Sequence, residues 1–228
     1  MSENKIKSDL KKITPQILRE IKEQGEKIAL LTAYDYPTAI IEDKAGIEII
    51  LVGDSLGMVM LGYESTLKVK MSDLLSACSA VKRGVQRAMV IADMPYMSYQ
   101  PSNSIAIKNA GRFIAESNVD GVKLEGAGPI LNALEKMGVF CIIVECVAAG
   151  VVSRIKKEVN VPIYGIGAGS DCDGQILVVH DMLGLLPEFL PKYVKKYANL
   201  SEIIEKAVKE YIKEIKTGKF PDKEHSYQ

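Results

Sequence analysis

Four short apolar segments of this chain each end on an acidic residue, and this pattern restricts the folds that the chain can adopt. The segments IILVGD, MVIAD, GVKLE and CIIVE end at Asp54, Asp93, Glu125 and Glu145. A buried strand that ends on an acid places that acid at one edge of a parallel sheet or barrel, where side chains from different strands converge. Because desolvating an unpaired carboxylate is costly, four such acids indicate a bound cation, basic partners or water at that edge.

Short β-branched runs alternate with helical patterns along the chain, which is typical of βα units and a parallel sheet. Thr14 and Pro15 supply an N-cap and a first-turn proline for a leading helix, and residues 200–215 have the apolar spacing of a final amphipathic helix. We predict seven strands, near residues 28–32, 47–52, 89–93, 120–124, 141–145, 162–166 and 176–179.

The predicted fold class is therefore α/β, and 228 residues suit one (β/α)8 barrel. We expect a single domain over residues 1–228, with an N-terminal helical extension at 1–25 and a polar tail at 217–228. Two connections are unusual in length. The segment between Gly53 and Met71 is long for a βα loop and is expected to lie over the site, whereas residues 165–174 leave no room for a crossover helix.

The composition excludes several kinds of partner. Lysine plus arginine and aspartate plus glutamate both number 29, so no net charge attracts nucleic acid or an anionic membrane, and a small-molecule substrate is expected. No apolar run has the length of a membrane span, and the first residues have no apolar signal region, so we expect a cytoplasmic protein. The cysteines lack CxxC spacing, which indicates reduced thiols and argues against zinc: Cys78, Cys141, Cys146 and Cys172.

Each acid also has a structural interpretation. Asp54 in GDS can form a turn or cap, Asp93 precedes Met94 and Pro95 in a turn sequence, and Glu125 can pair with Lys123 on the same face of a strand. Glu145 lies inside IIVECV, where no turn chemistry accounts for it. All four share one place in the βα unit, however, and hard oxygen ligands favour magnesium.

Other motifs carry less information. The segment GIGAGSDCDG resembles a GxGxxG fingerprint, but it opens no convincing helix, so a tight turn at a strand end is the better interpretation. His180 follows an apolar run and is more typical of a packed or capping histidine than of a catalytic one. The sequence contains no GxSxG, HExxH or Walker pattern, which leaves serine hydrolase, zincin and P-loop functions without support.

Six blocks of the sequence, in this order, resemble the ketopantoate hydroxymethyltransferase family. The resemblance implies a (β/α)8 barrel that uses Mg2+. It implies transfer of a hydroxymethyl group from 5,10-methylenetetrahydrofolate to 3-methyl-2-oxobutanoate, which gives 2-dehydropantoate in pantothenate biosynthesis, and a homo-oligomer, a decamer in the family. The blocks are LLTAYDYPTA (30–39), ILVGDSLGMVMLGYESTL (50–67), ADMPYMSY (92–99), VKLEG (122–126), VECV (144–147) and GIGAGSDCDGQILVVHDMLGL (165–185).

The resemblance also implies roles for individual residues. It implies metal ligation by Asp54, Asp93 and Glu125, the last directly or through water; substrate binding by Asp54, Ser55, Asp93 and Lys123; and proton abstraction by Glu145. The chemistry agrees with these roles, because the reaction must remove a weakly acidic proton beside a ketone and stabilise the enolate. Magnesium would act as the Lewis acid, Lys123 would add positive charge, and Glu145, free of the metal, would take the proton.

The chain also departs from the family between Glu125 and Glu145. Here it reads as one βαβ unit, whereas the family has a further helix, a strand with a GH[IL]G-type turn and a glycine-rich loop. About one βα unit is therefore absent, which explains seven predicted strands where a closed barrel needs eight. We expect the intact protein to carry further residues at a join around residues 126–129, and an intact mass of 25.0 kDa would exclude this.

Two other functions are compatible with acids at strand ends. The first is a Mg-dependent 2-oxo acid lyase or mutase of the isocitrate lyase and phosphoenolpyruvate mutase type, although this chain lacks the KKCGH-like loop of those lyases. The second is a non-catalytic barrel that only binds a metabolite. Substrate assays distinguish the first alternative from the transferase that the resemblance implies. Magnesium-dependent exchange of the C3 proton of the keto acid distinguishes that transferase from the second alternative.

Overall fold

The computed structural model describes residues 11–125, 138–186 and 190–227. Its chain contacts divide the protein into two compact units, Met1–Val178 and Val179–Gln228. The first unit contains the sheet and the acidic residues of interest. The single-domain organisation over residues 1–228 stays a prediction.

The described strands of the first unit form a seven-stranded parallel sheet, which confirms the predicted α/β class. The strands lie in the order β4-β3-β2-β1-β7-β6-β5. Within the described residues, β4 and β5 are the two edges of the sheet, although they follow one another in the chain. The strands are β1 (Ile28–Thr32), β2 (Ile49–Val52), β3 (Met89–Asp93), β4 (Gly121–Lys123), β5 (Ile142–Glu145), β6 (Ile163–Ile166) and β7 (Gly174–Leu177).

The seventh strand lies two residues earlier than predicted. The apolar run ILVV favours a strand over 176–179, but β7 begins at Gly174, which pairs with Ile28 of β1, and a short helix begins at Val179. A Cβ atom at Gly174 would lie 2.4 Å from the carbonyl oxygen of Ile28, so glycine permits the close approach of the two strands. The start of β7 therefore depends on tertiary packing as well as on the apolar pattern.

After the leading helix, the described helices of the first unit lie in connections that follow strands, as in βα units. Their local signals are conventional: Asp35 and Ser102 accept hydrogen bonds from the N–H groups of Thr38 and Ile105 at the starts of two helices. The helix of the βαβ unit predicted between Glu125 and Glu145 falls outside the described residues and stays a prediction. The helices are α1 (Pro15–Glu23), α2 (Tyr36–Ala45), α3 (Leu56–Val59), α4 (Met71–Gly84), α5 (Asn103–Ser117) and α6 (Ala149–Glu158), with a 3₁₀ turn at Thr66–Lys68.

The leading helix α1 lies near the amino-terminal ends of the strands. Lys22 donates to the carbonyl oxygens of Asn160 and Val161 at 3.0 and 2.9 Å, just before β6, and Lys12 donates to that of Ala88, just before β3. Leu18 of α1 is buried in the main core cluster. The carboxyl ends of the strands, where the four acids were predicted, are therefore at the other end of the sheet from α1.

Strands β2 and β3 are buried along their whole length, as expected for parallel strands covered on both faces. The core cluster combines aliphatic residues of the sheet with one aromatic ring, and burial of each large side chain contributes about 1.5–3 kcal/mol. This core fixes the positions of the strand ends that follow it. Its buried members are Ile13, Leu18, Ile28, Leu30, Ile49, Leu51, Met89, Ile91, Tyr164 and Ile176.

The second unit contains α7 (Val179–Met182) and α8 (Leu200–Thr217). The amphipathic helix predicted over 200–215 is confirmed as α8. Its apolar side chains are exposed: Ile203, Ile204, Val208, Ile212 and Ile215. Among the helices of the described residues, none combines the length and the apolar character that crossing a membrane requires.

Candidate active site

Three of the four predicted acids meet at the carboxyl ends of adjacent strands. Asp93 is the last residue of β3, while Asp54 and Glu125 each lie two residues beyond β2 and β4. One carboxylate oxygen from each residue lies within 4.8 Å of the others. The order β2, β3, β4 in the sheet produces this meeting, because parallel neighbours end at the same edge.

Asp93 is the most buried member of this acidic triad, with only 2% of its surface exposed. Its Oδ2 accepts hydrogen bonds from Lys123 Nζ at 2.9 Å and from the N–H of Asp54 at 3.3 Å. Its Oδ1 is buried and has no hydrogen-bond partner among the described residues. Burial raises the pKa of Asp93 to about 6, against the opposing charge of Lys123. An oxygen that is buried and without a donor fits a cation ligand.

Lys123 connects two members of the triad. Its Nζ lies 2.9 Å from Asp93 Oδ2 and 2.5 Å from Glu125 Oε1. Burial disfavours its charge, but the two carboxylates outweigh burial and raise the pKa of Lys123 above its ordinary value. The ammonium group therefore stays charged at neutral pH. The ion pair between Lys123 and Glu125 that sequence spacing suggested is present, together with a second pair to Asp93.

Ser55 lies at the start of α3, directly after Asp54. Its Oγ is 2.8 Å from the hydroxyl oxygen of Tyr34, a buried residue in the loop after β1. Gly53 permits this arrangement, because a Cβ atom there would lie 3.0 Å from Ser55 Oγ and 3.8 Å from Asp93 Oδ2. Tyr34 was not among the predicted site residues. Its only sequence signal was its place inside the block LLTAYDYPTA.

Glu145 ends β5, at the opposite edge of the sheet from β4. Its backbone is held by pairing with β6, where its register partner is Ile166. The side chain is exposed, yet partial desolvation of its carboxyl group raises its pKa, and the charges of Lys123, Glu125 and Asp54 also act on it. Charges in the triad region therefore affect the pKa of Glu145, although Glu145 is not a member of the triad.

Tyr99 was also missed by sequence reasoning. Its hydroxyl group donates to the carbonyl oxygen of Glu125 at 2.9 Å and accepts from the N–H of Glu125 at 3.1 Å. Tyr99 ends the block ADMPYMSY in the loop between β3 and α5. A tyrosine at a strand end has no distinctive spacing, so only the three-dimensional structure reveals this contact.

The remaining sequence motifs have structural roles or lie elsewhere. Residues 167–173 form the short connection from β6 to β7 without a helix, which confirms the predicted tight turn. Asp173 in this turn accepts from the N–H of Ile163 at 3.0 Å and pairs with Lys156 and Lys22. In the segment between Gly53 and Met71, the helix α3 begins directly after Ser55. His180 lies in α7 of the second unit.

The arrangement combines three kinds of chemical group. Three carboxylates supply the hard oxygen atoms that Mg2+ and similar divalent cations prefer. One charged lysine can stabilise a developing oxyanion. A fourth carboxyl group, on Glu145, has a raised pKa and is separate from the triad, as a general base requires.

The amino-acid sequence matches a known family. The family model described as ketopantoate hydroxymethyltransferase matches residues 12–133 and 130–223. A 3-methyl-2-oxobutanoate hydroxymethyltransferase from Syntrophus aciditrophicus is 45% identical over 264 residues, covering 95% of this chain and 97% of that protein. The enzyme of the same name from Carboxydothermus hydrogenoformans is 41% identical over 263 residues, covering 95% of each chain.

Solved structures resemble this one in fold at low sequence identity. A 2,3-dimethylmalate lyase of the PEP mutase/isocitrate lyase superfamily aligns with a TM-score of 0.53 and 13% identity, over 94% of this chain and 92% of the other. A phosphonopyruvate hydrolase solved with oxalate and Mg2+ aligns with a TM-score of 0.52 and 13% identity, over 93% of each chain. The fold is thus of the kind found in that superfamily, while the sequence places the chain elsewhere: it belongs to the ketopantoate hydroxymethyltransferase family.

Proposed function

We propose that this chain transfers a hydroxymethyl group from 5,10-methylenetetrahydrofolate to 3-methyl-2-oxobutanoate, giving 2-dehydropantoate for pantothenate biosynthesis. One observation carries the assignment of residues: two members of the triad of Asp54, Asp93 and Glu125 pair with a charged lysine, and a separate carboxyl group of raised pKa lies at the end of β5. This combination suits enolate chemistry on a 2-oxo acid. Relatives that cover nearly the same length carry the name of this activity.

Asp54 and Asp93 are the proposed metal ligands, with Glu125 as the third acid. Oδ1 of Asp93 is buried and has no donor among the described residues, so it is the atom of this site that most needs a cation. When bound, Mg2+ would supply Lewis acidity toward the keto and carboxylate oxygens of the substrate. Carboxylate oxygens are the ligands that Mg2+ prefers, so the residues fit the ion.

Side chains of the protein carry out the remaining steps of the proposed reaction. Ser55, next to Asp54, is placed to donate to the carboxylate of the substrate, and Lys123 holds positive charge where the enolate oxygen forms. Glu145 removes the proton from C3 of the keto acid. The resulting carbon nucleophile attacks the one-carbon unit of the folate, and water supplies the hydroxyl oxygen as tetrahydrofolate leaves.

The proposal is tested with purified protein, both substrates and Mg2+. We expect formation of 2-dehydropantoate, loss of at least about 100-fold in kcat for Glu145→Gln, and full activity for the surface control Glu116→Gln. Loss of C3 proton exchange in Glu145→Gln would support Glu145 as the general base, and unchanged exchange would contradict that role.

Cleavage of methylisocitrate instead would favour the lyase alternative. Absence of any magnesium-dependent exchange would favour the non-catalytic barrel.

We further propose that the complete fold is a (β/α)8 barrel with one more βα unit between Glu125 and Glu145. Three observations support this. Among the described strands, β4 and β5 flank that interval and are not paired with each other. The family model matches in two segments that meet near residues 130–133, and a 264-residue alignment exceeds the 228 residues of this chain. Intact mass spectrometry of the natural protein tests the idea, because a mass of 25.0 kDa would exclude extra residues.

The cellular setting follows from the same function. We propose a cytoplasmic homo-oligomer, a decamer as in the family. The balanced charge of the chain supports small-molecule substrates over nucleic acid or membrane partners. Light scattering coupled to gel filtration measures the oligomeric state, and a monomer at working concentrations would contradict this part of the proposal.

A further inference from the structure

Glu125 is the most exposed member of the acidic triad, and it lies beyond the last register pair of its strand. Strand β4 contains only three residues and pairs with β3 alone among the described strands, and the last register pair joins Asp93 to Lys123. Leu124 and Glu125 therefore lie beyond the ladder of hydrogen bonds. The side chain of Glu125 is 52% exposed and is held by its ion pair with Lys123 rather than by packing. By contrast, Asp93 lies within a strand and is buried.

Tyr99 satisfies both backbone groups of Glu125. The phenol oxygen accepts from the N–H of Glu125 at 3.1 Å and donates to its carbonyl oxygen at 2.9 Å. One side chain thus replaces the pairing that a neighbouring strand would otherwise give to this residue.

The loop that carries Tyr99 is itself held in place. The side-chain amide of Asn109 in α5 donates to the carbonyl oxygen of Ser98 at 2.6 Å, directly before Tyr99. The N–H of Ser98 bonds to the carbonyl oxygen of Pro95 at 3.0 Å and closes a turn. A continuous set of contacts therefore connects α5, through this turn and the phenol, to the backbone of Glu125.

We propose that Tyr99 is a positioning residue for the metal site: it holds the backbone of Glu125 so that the carboxylate stays beside Asp54 and Asp93. This inference rests on the proposed function, because it assigns Glu125 to the metal. Tyr99 makes no contact with the metal in this assignment and acts only through Glu125. Hydrogen-bonded partners that orient metal ligands typically change metal affinity by about 10- to 100-fold when they are removed.

The test measures Mn2+ binding directly, with the free ion followed by electron paramagnetic resonance. Tyr99→Phe removes both hydrogen bonds and keeps the ring. We expect Mn2+ to bind this variant about 10-fold more weakly than the wild type. Tyr96→Phe is the matched control, since Tyr96 lies in the same loop and is 54% exposed, and it should bind Mn2+ as the wild type does.

A double-mutant cycle separates positioning from general loss of structure. Once Glu125→Gln has removed the charged ligand, adding Tyr99→Phe should cost little further affinity, because both changes act through one residue. Additive losses, or wild-type Mn2+ affinity in Tyr99→Phe, would overturn the inference. High Mg2+ should restore kcat in Tyr99→Phe, whereas a defect in chemistry would persist at saturation.

The variant Asp54→Asn distinguishes this inference from the proposed function. If Asp54→Asn weakens Mn2+ binding and Tyr99→Phe does not, the metal site stands and the role of Tyr99 fails. If Asp54→Asn leaves Mn2+ binding unchanged, the metal assignment fails, and the role of Tyr99 fails with it.

Discussion

Lys123 donates to Asp93 across two neighbouring strands, and the two residues are register partners in the parallel pair of β3 and β4. Because register partners project to the same face of a sheet, the pairing itself brings the ammonium group to the carboxylate. The two side chains are only 12% and 2% exposed, so water screens their attraction poorly. The ion pair is thus built into the strand register that also positions the acidic triad.

Replacing Lys123 with methionine should destabilise the protein in a pH-dependent way. The change leaves Asp93 buried without its counter-charge, which typically costs about 3 kcal/mol of unfolding free energy. The pKa of Asp93, already raised to about 6, should rise further. Near pH 5 the folded variant binds a proton at Asp93, which removes the unpaired buried charge. Urea titrations should therefore show a larger loss of unfolding free energy, relative to the wild type, at pH 8 than at pH 5. An equal loss at both pH values would contradict this explanation, and the exposed Lys209→Met is the control.

Exchange of the C3 proton of the keto acid should weaken as the pH falls through the raised pKa of Glu145. Desolvation raises that pKa, and a general base acts only when deprotonated, so activity is retained above the pKa and lost below it. Exchange into deuterated water, followed by NMR, gives the profile. Glu145→Asp should displace the acidic limb, because the shorter side chain changes the surroundings of the carboxyl group. A limb that does not move would assign the titration to another group, such as Asp93.

The acidic triad could be predicted from the sequence because it depends on simple geometry. Parallel strands end at one edge of a sheet, so Asp54, Asp93 and Glu125 only needed to be recognised as the residues that follow apolar runs. Lys123 followed from the two-residue period of a strand, which places it on the same face as Glu125. The strand order alone brings these residues to one edge of the sheet, although Tyr99, in a loop, also contacts the backbone of Glu125.

The two tyrosines could not be predicted in this way. Tyr34 and Tyr99 reach Ser55 and Glu125 from loops, and loop conformation depends on contacts distant in sequence. The contact from Asn109 to the residue before Tyr99 spans 11 residues and follows no periodic pattern. Contacts of this kind are decided by tertiary packing, which strand and helix patterns do not encode.

Removing the hydroxyl group of Tyr34 should weaken binding of the keto acid more than it slows the chemistry. The phenol lies 2.8 Å from Ser55 Oγ, the proposed donor to the substrate carboxylate, so Tyr34→Phe frees that hydroxyl to rotate. One neutral hydrogen bond contributes about 1 kcal/mol, so we expect KM for the keto acid to rise about 5-fold with kcat little changed. Steady-state kinetics measure both constants. Tyr36→Phe, at an exposed neighbour, should match the wild type, and a fall in kcat alone for Tyr34→Phe would argue against the role.

Glu42 in α2 should make the protein less stable as the pH rises. Its side chain is 5% exposed, and neither carboxylate oxygen has a hydrogen-bond partner among the described residues. Burial, with a smaller contribution from Asp35, raises its pKa from 4.5 to about 8. The folded state therefore keeps a proton that the unfolded chain loses, and stability falls between those pH values.

Glu42→Gln cannot ionise, so its unfolding free energy in urea should resemble that of the wild type near pH 5 and exceed it at pH 9. The exposed Glu26→Gln should follow the wild type throughout, and parallel curves for all three proteins would disprove burial of an ionisable group here.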